Sequence, residues 1–100
     1  MSYLNKQQSE ITAAAKKRIR ALRHPLRQNI LELVKSKGNR MNVTDIYKTL
    51  KIEQSVASMH LGILRGARFI KTKRDGRTIW YSVDDAAIKA FIKIWEKDAG

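Results

Sequence analysis

Apolar residues recur at helical spacing in five blocks along the chain, and a pair of strand-like runs stands between the fourth and the fifth. Ile11, Ala15, Ile19 and Leu22 share one face of a first helix that Ser9 can cap and that must end before Pro25. His24-Pro25 opens a second, since proline is at home in a first helical turn. Leu26, Ile30, Leu33 and Val34 carry its stripe until Gly38 stops it. Asn42, with Asp45 three positions on, caps a short third helix whose Val43, Ile46, Tyr47 and Leu50 face inward. After a tight turn at Lys51-Ile52, a fourth helix runs from Glu53-Gln54-Ser55 to about Ala67 with Ala57, Leu61 and Leu64 as its buried stripe. Phe69–Thr72 and Thr78–Val83 are rich in β-branched and aromatic residues and read as strands, and Asp75-Gly76 between them predicts a type I′ turn. A fifth helix follows, capped by Asp84 or Asp85, with Ile88, Phe91, Ile92 and Trp95 on one side.

Helix, tight turn, helix and then a hairpin is the order of parts in a winged helix-turn-helix. The expected fold is therefore mainly α with a small β-hairpin: five helices plus a wing, in one domain over residues 9–98 behind a loose tail at 1–8. The outer face of the fourth helix carries Gln54, Ser55, Ser58, Met59, Gly62 and Arg65. These mostly short side chains let a helix lie deep in a major groove about 12 Å wide. The hairpin sets Lys71, Lys73, Arg74 and Arg77 against a single acid, Asp75. The apolar band of the last helix, widened by Ala87, Ala90 and Ile94, is broader than so small a domain can cover. It predicts a homodimer joined through the first and last helices, with Ile11, Ala15, Ile19, Phe91, Ile92 and Trp95 at the interface.

Charge sharpens that reading. The 100 residues carry a formal net charge of +12, which makes a polyanion the expected partner. The distribution says more than the sum. Lys16, Lys17, Arg18, Arg20, Arg23 and Arg27 fall between Ile11 and Leu31 without an acid, and Arg65, Arg68, Lys71, Lys73 and Arg74 fall between Gln54 and Arg74, again without one. Two acid-free blocks, one overlapping the fourth helix and the hairpin, favour contacts to the phosphates of double-stranded DNA over mere solvation. No apolar run approaches the roughly 20 residues of a membrane span, and the N-terminal segment lacks the apolar core of a signal peptide, so a cytoplasmic protein is expected. With no cysteine, thiolate metal sites, disulfides and cysteine nucleophiles are excluded. His24 and His60 alone do not supply the ligands of a closed zinc site, and no cofactor is expected. Nor is an enzyme: Ser58 and His60 are two apart on one helix and point to different sides, and no glycine-rich phosphate loop is present.

Ala21-Leu-Arg-His-Pro-Leu-Arg-Gln-Asn-Ile-Leu31, Val43 to Leu50, Gln54-Ser55-Val-Ala-Ser-Met-His-Leu61, Leu64-Arg65 and Asp75-Gly76-Arg77 with Tyr81 together resemble the ArsR class of dimeric winged-helix transcriptional regulators. The resemblance covers about residues 18 to 83. It implies a repressor that binds an inverted-repeat operator, with Gln54, Ser55, Ser58 and Met59 at positions that reach the major groove and Arg74 and Arg77 on the wing. It also implies that His60 packs within the domain. Three residues depart from the pattern: Glu53 stands where a small cap is common, Met59 where a polar residue is, and Arg68 where glycine often ends the helix. The third helix has Asn42-Val-Thr-Asp45 in place of metal-binding cysteines, so a classical metal sensor is not expected. A small-molecule effector is left open, with no motif to specify it. The competing readings are a winged helix that docks another protein and a non-specific nucleic-acid binder.

Overall fold

The computed structural model describes the backbone of residues 2–99 and the side chains of residues 13–97. Its elements are α1 (Ser2–Arg23), α2 (Pro25–Ser36), α3 (Val43–Leu50), α4 (Gln54–Gly66), β1 (Ile70–Asp75), β2 (Thr78–Val83) and α5 (Asp85–Ala99). This is the winged helix-turn-helix that the pattern of apolar positions predicts. α1 extends back past Ser9 into the stretch read as a tail, because no glycine or proline between Ser2 and Arg23 interrupts it. Ile30, Val34, Ile46, Leu61, Leu64 and Phe69 are the largest fully buried side chains, drawn from α2, α3, α4 and the entry to the wing. They hold the two helices of the helix-turn-helix against the rest of the domain.

The helix ends are built as the sequence suggests, with two exceptions of consequence. His24 caps α2, its Nδ1 accepting from the Leu26 amide at 3.2 Å. Asn42 caps α3 by accepting from the Asp45 amide at 2.8 Å, and its own amide nitrogen donates back to the Asp45 carboxylate at 3.2 Å. Asp84, rather than Asp85, caps α5, through the Ala87 amide at 3.0 Å. Glu53, by contrast, heads α4 with no side-chain cap bond. The exit from α4 is a Schellman turn: Phe69 N–H reaches Leu64 O at 3.0 Å and Arg68 N–H reaches Arg65 O at 2.9 Å. Arg68 occupies its left-handed position with φ +66°. A side chain there crowds the backbone, and glycine does not. Arg68→Gly should therefore raise stability by about 1 kcal/mol, a Tm increase of roughly 4–8 °C in a domain of this size, read by thermal unfolding.

The wing corrects the sequence reading of its turn. β1 and β2 pair antiparallel from Ile70↔Val83 to Asp75↔Thr78, so Asp75 is a strand residue and the loop consists of Gly76 and Arg77. Gly76 has φ +61° and Arg77 is not among the positive-φ residues. Positive φ at the first central position alone is the type II′ arrangement, not the type I′ expected of Asp75-Gly76. Register decides this. Ile70 and Val83 are buried opposite each other, which leaves two residues for the turn and carries Arg77 to its tip. Phe69 lies outside the strand, its amide engaged with α4 and its carbonyl accepting from the Asp84 amide at 2.9 Å. At the root, Met41 bridges Tyr81 with bonds of 3.1 and 2.7 Å, and the Asn39 side chain brackets Val83 with bonds of 2.7 and 3.0 Å. The hairpin is thus pinned along its inner edge before it projects.

Candidate nucleic-acid interface

α4 divides its residues cleanly. Ala57, His60, Leu61 and Leu64 are buried, whereas Gln54, Ser55, Ser58, Met59 and Arg65 are all exposed on the rest of the cylinder. His60 is held inside the domain. It is 5% exposed, and its Nδ1 lies 3.1 Å from an Nη of Arg27. Arginine has only donors, so Nδ1 accepts and the imidazole is neutral with its proton on Nε2. Burial first, and then the charges of His24 and Arg27, push the His60 pKa below its ordinary value.

Arg27, 9% exposed, is the hub of this arrangement. Its Nε donates to Ala21 O at 2.8 Å and its second Nη to Arg20 O at 3.0 Å, which closes two carbonyls at the end of α1. One guanidinium thereby ties α1 and α2 to the helix that carries the exposed face. Arg18 has also left the basic surface: its Nε donates to Ala67 O at 3.1 Å, and its guanidinium lies 4.8 Å from the Phe69 ring and 4.5 Å from that of Phe91. Two cations of the first acid-free block are thus structural, and the block is less a phosphate-binding surface than its composition implies. His24 and His60, distant in the chain, pack with ring centroids 4.7 Å apart and planes tilted by 46°. Among the described residues, no group of three or more potential metal ligands includes them.

The wing cations fall into two kinds. Lys71 is engaged with the Asp84 carboxylate at 3.2 Å. That bond and, more strongly, the Ala87 amide hold the Asp84 carboxyl below its ordinary value. Lys73, Arg74 and Arg77 are exposed and, among the described residues, form no ion pair; nor does Arg65 on α4. Sequence reading passes over Arg40, whose guanidinium sits 3.8 Å above the Trp80 ring and 3.9 Å from Asp75. Nothing in the spacing of Arg40, Asp75 and Trp80 announces that contact. Its effect is to set a cation beside the one acid of the hairpin.

On the opposite elements, Ile19 and Phe91 lie in the core of the single chain, Phe91 packing against Phe69 at 5.5 Å and Trp95 at 6.2 Å. Both are covered within the single chain, at 9% and 7% exposure. Ala15, Ile92 and Trp95 are half-buried, and the side chain of Ile11 falls outside the described residues. Ile94, 60% exposed, is the most open large apolar residue among those described and was signalled only by the breadth of the apolar band.

Comparison with known proteins agrees with this geometry. The profile of the family described as "Bacterial regulatory protein, arsR family" matches residues 24–72. The transcriptional repressor PagR of Bacillus anthracis is 38% identical over 77 residues, 76% of this chain and 75% of that protein. The transcriptional activator HlyU of Vibrio cholerae is 29% identical over 56 residues, 56% of this chain and 52% of that protein. The crystal structure of NolR from Sinorhizobium fredii superposes with a TM-score of 0.71 at 32% identity, covering 90% of this chain and 89% of that one.

Proposed function

The chain belongs to the ArsR family of bacterial regulatory proteins and is a DNA-binding transcriptional regulator, not an enzyme, and from that premise we propose that it is a repressor seated as a homodimer on an inverted repeat. In this reading Gln54, Ser55, Ser58, Met59 and Arg65 of α4 face the bases in the major groove, while Lys73, Arg74 and Arg77 hold the flanking backbone. The observation that carries it is that Arg65, Lys73, Arg74 and Arg77 are exposed without ion-pair partners among the described residues. Exposed cations without carboxylates are free to displace counterions from phosphate. Repression, rather than activation, is supported by the longer and more identical match to PagR than to HlyU.

Two α4 helices one helical turn apart require half-sites about 34–36 Å apart. The test is to select duplexes from a random library with the purified protein at near-physiological salt and to sequence what is retained. An enriched inverted repeat with that spacing is the expected result. Retention without enrichment points to a non-specific binder, and no retention to a protein partner. For the dimer, α5 offers Ile94 and Trp95 as its outer contacts. Because a two-fold interface uses each residue twice, Ile94→Asp should weaken self-association by roughly 100-fold in sedimentation equilibrium without unfolding the chain. Unchanged association would move the interface off this face.

A further inference from the structure

A groove of about 540 Å³ lies between α1 and α4, a size ordinary for small organic ligands; of its lining, only Met59 is among the residues placed against DNA above. Met59 and Ile63 form its apolar wall on α4 and remain 54% and 41% exposed. Its floor is made of small residues, and a Cβ built on Gly62 or Gly66 meets nothing within 4 Å, so the space above them is open. Lys17 and Arg18 line the α1 side, and among the described residues no acidic side chain lines it. Neither cation has an ion-pair partner among the described residues. An apolar body combined with a single anionic head matches this lining. A neutral ligand leaves Lys17 unanswered and Arg18 without a charged partner, and a nucleic-acid strand leaves the apolar wall unanswered.

We propose that this groove binds an amphipathic organic monoanion, a carboxylate on an alkyl or aryl body, and that its occupancy opposes DNA binding. The second half of the proposal rests on the reading of α4 as the DNA-facing helix. The coupling runs through Arg18. Its Nε holds the Ala67 carbonyl where α4 ends, and its guanidinium rests on Phe69 at the entry to the wing and on Phe91 of α5. An anion drawn to that guanidinium acts on the end of α4 and the base of the wing together. The ligand body, meanwhile, takes up Met59, one of the residues placed against the bases.

Octanoate is the probe, with octan-1-ol as its uncharged match, both titrated calorimetrically into the full chain. One octanoate per chain is expected, with octanol bound at least about tenfold more weakly and Lys17→Gln weakening octanoate by a similar factor, as loss of one charge-assisted contact requires. Ala14→Phe fills the groove from the exposed side of α1 without changing charge and should abolish binding. Three results overturn the site: no binding at millimolar octanoate, equal affinity for octanol, or binding that survives in Ala14→Phe, which would be attraction to the cationic surface at large. A dimer that Ala14→Phe converts to monomer also overturns it, since the groove would then seat a second copy. On the library-selected duplex, octanoate should lower affinity by the same factor by which the duplex lowers affinity for octanoate. An unchanged duplex affinity overturns the effector role. Failure to bind duplex in the absence of octanoate is a failure of the DNA reading, and the octanoate titrations still decide the site.

Discussion

Arg27→Ala should cost the folded state about 3 kcal/mol and lower Tm by roughly 12–24 °C, measured by thermal and urea unfolding. The size follows from what one side chain holds. Its loss strands the Arg20 and Ala21 carbonyls and the His60 Nδ1 together, and leaves a void where a guanidinium was 9% exposed. A domain of this length has on the order of 5–15 kcal/mol in total, so the variant approaches the edge of folding. Arg27→Lys should recover little. An ammonium is a single point with freely rotating donors, and it cannot direct three bonds along the fork that reaches α1 and α4 at once. A loss within the few tenths of a kcal/mol of an ordinary surface substitution would show that the network is incidental.

The same network makes stability depend on pH. The folded chain keeps His60 neutral because Nδ1 must accept from Arg27, and its pKa lies below 6.5, whereas the unfolded chain takes up that proton near 6.5. Between those two values the unfolded state binds more protons, so stability is complete above about pH 6.5 and is lost as the pH falls below it. In His60→Gln that decline should be missing. α4, the helix proposed to face DNA, would then be held by a contact that acid no longer breaks.

What was legible in the sequence depended on the range over which its cause acts. Ala57, Leu61 and Leu64 announce a buried stripe because period 3.6 is a local property, and Asn42 announces a cap because its partner Asp45 is three residues away. Arg68 could be singled out for the same reason: a helix must end somewhere, and a non-glycine residue there has to take a left-handed φ. The hairpin turn was misplaced because a strong Asp-Gly signal competes with a register set elsewhere, by Ile70 opposite Val83. Arg27 and Arg18 read as members of a basic block, since nothing in a run of cations tells which will find carbonyls or aromatic faces. Arg27 meets His60 across 33 positions and Arg18 meets the Ala67 carbonyl across 49. Contacts at such separations have no period. The groove between α1 and α4 is of this kind too, a space that exists only once two helices have been set beside each other.

On the proposed interface, affinity for duplex should fall by roughly three to five orders of magnitude between 50 and 200 mM salt, if six to ten phosphates are neutralised per dimer. The dominance of phosphate follows from the exposed residues themselves. α4 presents two serines, a glutamine, a methionine and a single cation, Arg65, whereas each wing presents three cations, Lys73, Arg74 and Arg77, without ion pairs among the described residues. Replacing all three wing cations by alanine removes six per dimer and should flatten the slope of log K against log salt by roughly 5, with equal losses on selected and random duplexes. Gln54→Ala should behave in the opposite way. It should cost about 1–3 kcal/mol on the selected duplex, almost nothing on random DNA, and leave the salt slope unchanged. Filter binding over a salt series with both duplexes separates the two. A triple variant whose slope matches the wild type would take the wing out of the interface, and a Gln54→Ala loss shared by random DNA would take that residue out of readout. The contrast is sharp because the two groups act through different physics: one releases counterions from any phosphate, and the other matches donors and acceptors on particular bases.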